Sequence, residues 1–251
     1  MCDSKGVIYK GRKNLDQFKS AHAIDTDLRT LDEAMRGADV FLGLSAKDAV
    51  SKNMVKSMAD NPIIFACANP DPEIKPELIE EVRSDAIVAT GRSDYPNQVN
   101  NLIGFPYIFR GALDVRAKEI NEAMKVAAAN AIAMLARQNV PDEVVSAYGG
   151  DRPRYGKNNI IPSTFDPRLI SEIPAAVAEA AMKSGVARKN LDDLQIYKDQ
   201  LTNRLDPTMS LMQGINAKVR KNPKRVIFAE GEDENMLKAA IEFGRNKLGT
   251  P

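Results

Sequence analysis

The sequence predicts an α/β protein: a partial, Rossmann-like, doubly wound parallel sheet followed by a helical C-terminal segment. The first half alternates helical patterns with short apolar runs that are typical of strands buried on both faces. This alternation favours a parallel sheet flanked by helices. After Phe105 the pattern changes to long helices rich in alanine and methionine. The sheet is expected to be partial because the chain contains no G-x-G-x-x-G turn, which opens a complete sheet of this kind.

Short strands and helices make up the predicted sheet region. An extended piece at 7–9 comes first, and the strands are expected at residues 39–44, 62–68 and 86–90. The helices between them are expected at residues 28–36, 46–59 and 76–82. Thr30 is a candidate cap for the first of these helices. Pro76 suits the first turn of the third, where its missing N–H leaves no hydrogen bond unmade.

Helices dominate the rest of the chain. They are expected at residues 115–137, 166–184 with an interruption near Pro174, 191–205 and 209–221, with a glycine-rich polar loop at 148–155. A strand over 224–231 and a helix over 233–247 come last. One strand and one helix cannot bury a core, so this end is interpreted as the opening of a further domain.

Three regions follow from this pattern. Residues 1–137 are predicted to form an NAD(P)-binding domain that lacks its first strand and glycine turn. Residues 138–221 are predicted to be helical, and residues 222–251 to be the truncated start of a second domain. We expect the chain to begin just after the second strand of the complete sheet.

Composition excludes several function classes. Lysine plus arginine total 35 against 34 aspartates and glutamates, a net charge of +1, so no nucleic acid or anionic membrane partner is expected. No apolar run approaches the roughly 20 residues that span a bilayer. Cys2 and Cys67 lack metal-binding spacing and are expected to be free thiols in a reducing cytoplasm. With His22 as the one histidine, neither a zinc site nor a Ser/His triad is expected.

The first candidate binding segment contains Asp3, Ser4 and Lys5, which we expect at the end of a strand. An acidic residue in that position commonly contacts the adenosine ribose of a dinucleotide. The hydroxyl of Ser4 and the ammonium of Lys5 suit a 2'-phosphate instead. The alternative is a polar turn in a solvated basic stretch, and the segment taken alone favours that alternative.

The second candidate is the loop that contains Gly43 and Ser45, at the end of the strand at 39–44. Small residues there let a dinucleotide lie close to the backbone, and ligands bind at the carboxyl ends of parallel strands. Ser45 also suits the cap of the following helix. The two roles are compatible, and capping alone is the simpler interpretation.

The third candidate pair is Asn69 and Asn101, which follow two successive strands. An amide offers a donor and an acceptor, which suits a hydroxy acid bound beside a nicotinamide ribose. Asparagine is also an ordinary turn residue, and Asn69 precedes a proline. Two such residues at successive strand ends favour a ligand more than either does alone.

Four segments resemble malic enzymes, and the resemblance extends over essentially the whole chain. They are CDSKGVIYKGR at 2–12, FACANPDPEI at 65–74, ATGRSDYPNQVNN at 89–101 and FPYIFRGALD at 105–114, the last of the bacterial type. A further segment, PKRVIFAEGE at 223–232, resembles the start of the phosphate acetyltransferase-like domain that is fused behind the malic module in long bacterial enzymes.

The resemblance implies oxidative decarboxylation of L-malate to pyruvate and carbon dioxide, with NADP and a divalent metal, Mg²⁺ or Mn²⁺. It implies that Asn69 and Asn101 contact the nicotinamide and the substrate, and that the chain forms a homo-oligomer. The family's tyrosine and lysine, and its glutamate and two aspartate metal ligands, are expected upstream, so no catalytic or metal-binding residue is assigned here. We expect this chain to be inactive alone. The alternative is a non-catalytic dinucleotide-binding or interaction module.

Overall fold

A computed structural model of the protein describes residues 1–141, 144–145, 152–204, 215, 218–245 and 247–251. The chain folds as two compact units, Met1–Asn190 and Leu191–Pro251. Within the described residues, no helix is both long enough and apolar enough to cross a membrane. The finer division at residues 137 and 221 stays a prediction.

A three-stranded parallel sheet forms the centre of the first unit. Its strands are β3 (Val40–Gly43), β4 (Ile63–Ala66) and β5 (Ile87–Thr90), with β4 in the middle. All three predicted strands and their parallel direction are therefore confirmed, as is the Rossmann-like α/β class. The register aligns Gly43 with Ala66 and Ala66 with Thr90, so the carboxyl ends of all three strands lie at one edge.

Three short helices cover one face of this sheet. They are α2 (Leu31–Met35), α3 (Lys52–Lys56) and α4 (Pro76–Glu80). Met35, Val55 and Ile79 from these helices pack with Ile64 of β4 in one buried cluster. Burying a side chain of this size stabilises the fold by about 1.5–3 kcal/mol. On the other face, Val40 and Leu42 of the edge strand β3 are exposed.

Local signals at Thr30 and Pro76 predicted the helices α2 and α4 well, whereas α3 is shorter than predicted. Thr30 caps α2 as expected, because its hydroxyl accepts from the N–H of Glu33 while Glu33 bonds back to the N–H of Thr30. The helix expected at 46–59 is confined to α3, which begins after Ser51. That prediction was wrong for residues 57–59, which follow the end of α3, and for residues 46–51, where Asp48 and Val50 donate backbone hydrogen bonds to residues 72 and 73 instead.

The first strand pair precedes the sheet. β1 (Cys2–Asp3) and β2 (Gly6–Val7) form a two-residue antiparallel hairpin, followed by α1 (Gln17–Ala21). Asp3 was expected at the end of a parallel strand, but it lies at the start of this hairpin turn. Gly6 adopts φ +98 and its Cβ position lies 2.0 Å from the Arg29 carbonyl oxygen, so the turn requires glycine.

Three longer helices complete the first unit: α5 (Phe105–Asp114), α6 (Glu122–Arg137) and α7 (Leu169–Lys183). The helix predicted at 115–137 begins seven residues late. The side chain of Asn121 caps α6 by accepting from the N–H of Met124. The carbonyl of Val115 accepts hydrogen bonds from Arg188 and Lys189, and these bonds hold the preceding segment outside the helix.

Helix α7 packs against both α5 and α6. The interruption predicted near Pro174 is absent, because α7 runs through that proline without a break. The Cβ position of Gly111 on α5 lies 2.5 Å from the Pro174 carbonyl oxygen, so the two helices cross closely there.

The second unit contains α8 (Leu194–Asn203), β6 (Lys224–Arg225), α9 (Glu234–Arg245) and β7 (Gly249–Thr250). β6 pairs in parallel with β7, and Asp233 caps α9 by accepting from the N–H of Met236 at 2.9 Å. The strand predicted at 224–231 is thus shorter than expected. Most of the helix predicted at 209–221, and much of the loop at 148–155, lies outside the described residues.

Candidate functional site

The carboxyl edge of the parallel sheet brings together the loops that carry four of the predicted site residues. Gly43 ends β3, and Ser45 lies two residues beyond it. Asn69 lies in the loop after β4, and Asn101 follows the longer loop after β5. In open parallel sheets this edge is where ligands bind, so the fold places these residues where the sequence predicted.

Glu73 organises this edge, and sequence reasoning did not single it out. Its side chain is completely buried. One carboxylate oxygen accepts from the backbone N–H of Ser45 at 2.7 Å and from the Ser45 hydroxyl at 3.2 Å. The other accepts from the N–H of Ala68 at 3.0 Å. The carboxylate therefore joins the loop after β3 to the loop after β4.

Gly43 is explained by the same carboxylate. A Cβ atom at Gly43 would lie 2.5 Å from the carboxyl carbon of Glu73 and within 2.8 Å of both its oxygens. Only glycine leaves space for the buried carboxylate at this point. The interpretation of Ser45 as a helix cap is wrong, because Ser51 caps α3 and Ser45 donates to Glu73.

Charged side chains connect all three loops outside this buried contact. Asp71 pairs with Lys47 from the loop after β3 at 3.1 Å and with Arg92 from the loop after β5 at 3.5 Å. Arg92 also pairs with Asp94 at 2.7 Å. The hydrogen bond from Lys47 to Asp71 raises the pKa of that lysine. Residues 71–73 thus contact each of the loops at the carboxyl edge, and we call them the loop bridge.

Asn69 and Asn101 are both exposed at this edge. The Asn69–Pro70 peptide bond is cis. Asn101 begins a short 3-10 helix, Asn101–Ile103, which is capped by its neighbour Asn100 through a 2.9 Å bond from the N–H of Leu102. Asn100 therefore caps this helix, and Asn101 is left exposed to solvent.

Asn97 is a second residue that sequence reasoning missed. It is buried in a left-handed backbone conformation with φ 56, which asparagine tolerates better than most residues. Its amide donates to the carbonyls of Val88 and Lys157 at 2.9 and 2.7 Å, and its oxygen accepts from Ile160 at 2.9 Å. Asn97 thereby fixes the loop that leads from β5 to Asn101.

The hairpin turn holds the remaining candidates. The carboxylate of Asp3 accepts from Arg12 at 2.7 Å, from Lys19 at 3.1 Å and from the N–H of Lys5 at 2.9 Å. The hydrogen bond from Arg12 is the main reason that the pKa of Asp3 lies far below its ordinary value. Ser4 and Lys5 occupy the exposed turn.

The described residues do not offer a metal centre. No group of three or more histidine, cysteine, aspartate or glutamate side chains among them is arranged to hold a metal ion. Cys67, beside the site, has a raised pKa because it is partly buried, with the Glu73 charge as a smaller cause. It therefore stays a neutral thiol near pH 7.

A parallel sheet with small residues and exposed amides at its carboxyl edge defines a dinucleotide-binding domain of the Rossmann-like class. Residues 1–146 match the family model described as "Malic enzyme, NAD binding domain". The chain belongs to this malic enzyme family, and the resemblance of its first four motifs to malic enzymes is confirmed.

Relatives and solved structures agree with this assignment. The NADP-dependent malic enzyme of Rhizobium meliloti is 63% identical over 251 residues, covering 100% of this chain and 33% of that protein. The NADP-dependent malic enzyme of Escherichia coli is 52% identical, with the same two shares. The malic enzyme structure from Entamoeba histolytica has a TM-score of 0.69 and 31% identity, covering 98% of this chain and 48% of that one. The chain thus spans 33% of the length of each of these two relatives.

Proposed function

We propose that this chain supplies the dinucleotide-binding part of an enzyme that oxidatively decarboxylates L-malate, forming pyruvate, carbon dioxide and NADPH. The observation that carries the proposal is 63% identity, over the whole chain, to a relative named NADP-dependent malic enzyme. The carboxyl edge of the sheet, with its exposed amides, supports it independently of that name.

The chain's own residues are assigned binding and orientation. In the reaction a hydride passes from C2 of malate to the nicotinamide, carbon dioxide leaves from C3, and the hydroxyl proton balances the proton that C3 gains. The amides of Asn69 and Asn101 would hold a substrate oxygen and a ribose hydroxyl in fixed directions. Because the described residues do not fit a metal centre, no step of the reaction is assigned to a metal here.

NADP rather than NAD is proposed as the cofactor because Lys5 lies in the exposed hairpin turn. An ammonium group there suits a 2'-phosphate, whereas NAD has only a hydroxyl at that position. The relatives include both types: the NAD-dependent malic enzyme of Rhizobium meliloti is 49% identical over 257 residues. The 63% identity to the NADP-dependent enzyme of the same organism favours NADP.

Two further proposals concern assembly. The exposed apolar side chains of Phe105, Phe109, Val126 and Met134 on α5 and α6 support a homo-oligomer. The resemblance of residues 223–232 to a phosphate acetyltransferase-like domain supports a fusion to such a domain. Sedimentation of the complete enzyme as a monomer would contradict the first proposal.

A chimeric enzyme tests the function. This chain replaces the matching segment of the Rhizobium meliloti NADP-dependent malic enzyme, and pyruvate and NADPH are measured with malate, NADP and Mn²⁺. We expect the chimeric enzyme to turn over at an ordinary rate, about 1 per second or more. The 251-residue chain alone is expected to give no pyruvate above background. A folded chimeric enzyme without activity, or an active isolated chain, would contradict the proposal.

A further inference from the structure

The Ser45 hydroxyl donates its one hydrogen to Glu73. A serine hydroxyl carries one hydrogen and two acceptor lone pairs. Its hydrogen points to the Glu73 carboxylate at 3.2 Å, and the Ser45 N–H points to the same oxygen at 2.7 Å. Both donors of Ser45 are therefore used inside the protein, although the residue itself is exposed.

The burial of Glu73 supports this assignment of the Ser45 hydrogen. The side chain is completely buried, and among the described residues no lysine or arginine lies at ion-pair distance from it. Both oxygens of its side chain accept hydrogen bonds, one from Ser45 and the other from Ala68. The hydroxyl and the N–H of Ser45 converge on one oxygen of this buried group, so the Ser45 hydrogen is used inside the protein and its lone pairs are left for a ligand.

The loop is attached to the loop bridge by the main chain as well. The N–H of Asp48 donates to the carbonyl of Pro72 at 3.3 Å, and the N–H of Val50 donates to the carbonyl of Glu73 at 3.0 Å. These bonds hold the loop without the carboxylate. The carboxylate in addition accepts hydrogen bonds from Ser45 and Ala68, the second residues of the loops after β3 and β4 at the carboxyl edge.

We propose that Glu73 is a positioning residue which orients the exposed residue Ser45, so that the hydroxyl oxygen of Ser45 accepts a hydrogen bond from the nicotinamide–ribose half of the bound dinucleotide. This inference rests on the proposed dinucleotide-binding function. The ligand group must be a donor, either a ribose hydroxyl or the carboxamide NH₂. A phosphate, which has only acceptor oxygens near neutral pH, does not suit this position.

Substitutions in the chimeric enzyme test the pairing of Glu73 with Ser45. Ser45→Ala removes the acceptor and should raise KM for NADP about fivefold, the size of one neutral hydrogen bond, while KM for malate stays within about twofold. Ser45→Thr keeps the hydroxyl and should restore KM. Ser51→Ala is the matched control, because the Ser51 hydroxyl only accepts from Met54 in the cap of α3. It should lower the melting temperature and leave KM unchanged.

The double variant separates positioning from a purely structural role. Glu73→Gln keeps the shape but replaces one acceptor oxygen with an amide that donates. It should raise KM for NADP by up to about fivefold, no more than the loss of the Ser45 acceptor itself, and Ser45→Ala should then add little, because the two residues act as a unit. Full additivity, or an unchanged KM in Ser45→Ala, would overturn the proposal. If Glu73→Gln fails to fold, the comparison of Ser45→Ala with Ser45→Thr decides.

A cofactor analogue identifies the donor. In 3-acetylpyridine adenine dinucleotide phosphate the carboxamide NH₂ is replaced by a methyl group. If the penalty of Ser45→Ala disappears with this analogue, the donor is the carboxamide, and if it persists, the donor is a ribose hydroxyl. Both results support the proposal. An inactive wild-type chimeric enzyme would instead remove the proposed function itself, and the two failures are thereby distinguished.

Discussion

Asp3 and Glu73 hold their carboxylates in contrasting surroundings. The Asp3 side chain is 19% exposed and its charge is met by the cations Arg12 and Lys19. The Glu73 side chain is 0% exposed and is met by backbone N–H groups and one hydroxyl. Yet the residues beside each carboxylate are exposed: Ser4 and Lys5 beside Asp3, and Ser45 beside Glu73.

The carboxylates and the exposed residues beside them have different roles in these two regions. The carboxylates act as internal anchors, and the exposed residues next to them are available to a ligand. The two anchors should respond differently to perturbation, because a completely buried polar group without a paired cation depends on every one of its hydrogen bonds. The stabilisation from a pair of charges near the surface is weakened by solvent screening, and it changes with pH instead.

The largest expected effect comes from crowding the buried anchor. Gly43→Ala places a Cβ 2.5 Å from the Glu73 carboxyl carbon, so the carboxylate must move and lose its hydrogen bonds. We expect the 251-residue chain to lose about 3 kcal/mol of unfolding free energy, at the upper end of overpacking costs. Urea denaturation followed by circular dichroism measures it.

Gly91→Ala is the control for Gly43→Ala. A Cβ at Gly91 would meet its nearest atom, the Cys67 carbonyl oxygen, at an ordinary 3.8 Å. This variant should change the unfolding free energy by less than about 1 kcal/mol. Equal losses in the two variants would show that Glu73 does not need the space at Gly43.

Local sequence signals predicted the strands and missed the anchors for a physical reason. Buried apolar runs identified β3, β4 and β5, and Thr30 identified the cap of α2, because the partners of such signals lie close in sequence. Ser45 lies 28 residues from Glu73, and this pairing exists only once β3 and β4 are aligned. Other bonds between the same two segments, from Asp48 to Pro72 and from Val50 to Glu73, replace the start of the helix predicted at 46–59.

The predicted site residues show the same limit. The sequence placed Gly43, Ser45 and Asn69 at strand ends correctly, since apolar runs reveal where strands stop, whereas Asn101 lies beyond a longer loop after β5 and begins a 3-10 helix. The sequence could not reveal that Asn97 is buried and fixes its loop by hydrogen bonds, or that Asn100 caps the 3-10 helix, because neighbouring asparagines look alike in sequence. Arg12 and Lys19 pack against the carboxylate of Asp3 because of the hairpin. The strands of this hairpin are two residues long, which is too short for the sequence pattern to predict them.

The second largest effect should come from the exposed amides and should appear in kinetics rather than stability. Asn69→Ala or Asn101→Ala in the chimeric enzyme should lower turnover or raise KM for malate, by up to about a hundredfold, because hydride transfer depends on positioning within about 1 Å. The melting temperature should hold, since both side chains are exposed. Steady-state kinetics and thermal melting on the same preparations measure both quantities.

Asn100→Ala gives the opposite pattern and serves as the control. Its side chain caps the short helix, so we expect a loss of about 1 kcal/mol in stability with kinetic constants near the wild-type values. If Asn69→Ala and Asn101→Ala behave like Asn100→Ala, these asparagines are turn formers, and the division between anchors and ligand residues fails at the carboxyl edge.

A smaller effect is expected at Lys5, and it should depend on the cofactor. Lys5→Glu places a negative charge in the exposed turn and should raise KM for NADP about tenfold, with little change in KM for NAD. Lys56→Glu, at the exposed end of α3, is the control for a general change in charge. Equal changes for both cofactors would show that Lys5 does not recognise the 2'-phosphate.

The smallest expected effect is the pH dependence at the Asp3 anchor. Bonding to Arg12 lowers the folded-state pKa of Asp3 below its ordinary value of 3.8, so the folded state favours the charged carboxylate. The resulting stabilisation is fully present above the unfolded pKa and is lost as the pH falls from there toward the folded pKa. The melting temperature of the wild-type chain should therefore exceed that of Asp3→Asn at pH 7, and the difference should shrink as the pH falls below about 4. Melting curves of both chains between pH 7 and pH 3 measure this difference. A gap that stays constant over that range would mean that Asp3 contributes through neutral hydrogen bonding alone, and the contrast with the buried, cation-free Glu73 would then be one of burial rather than of charge.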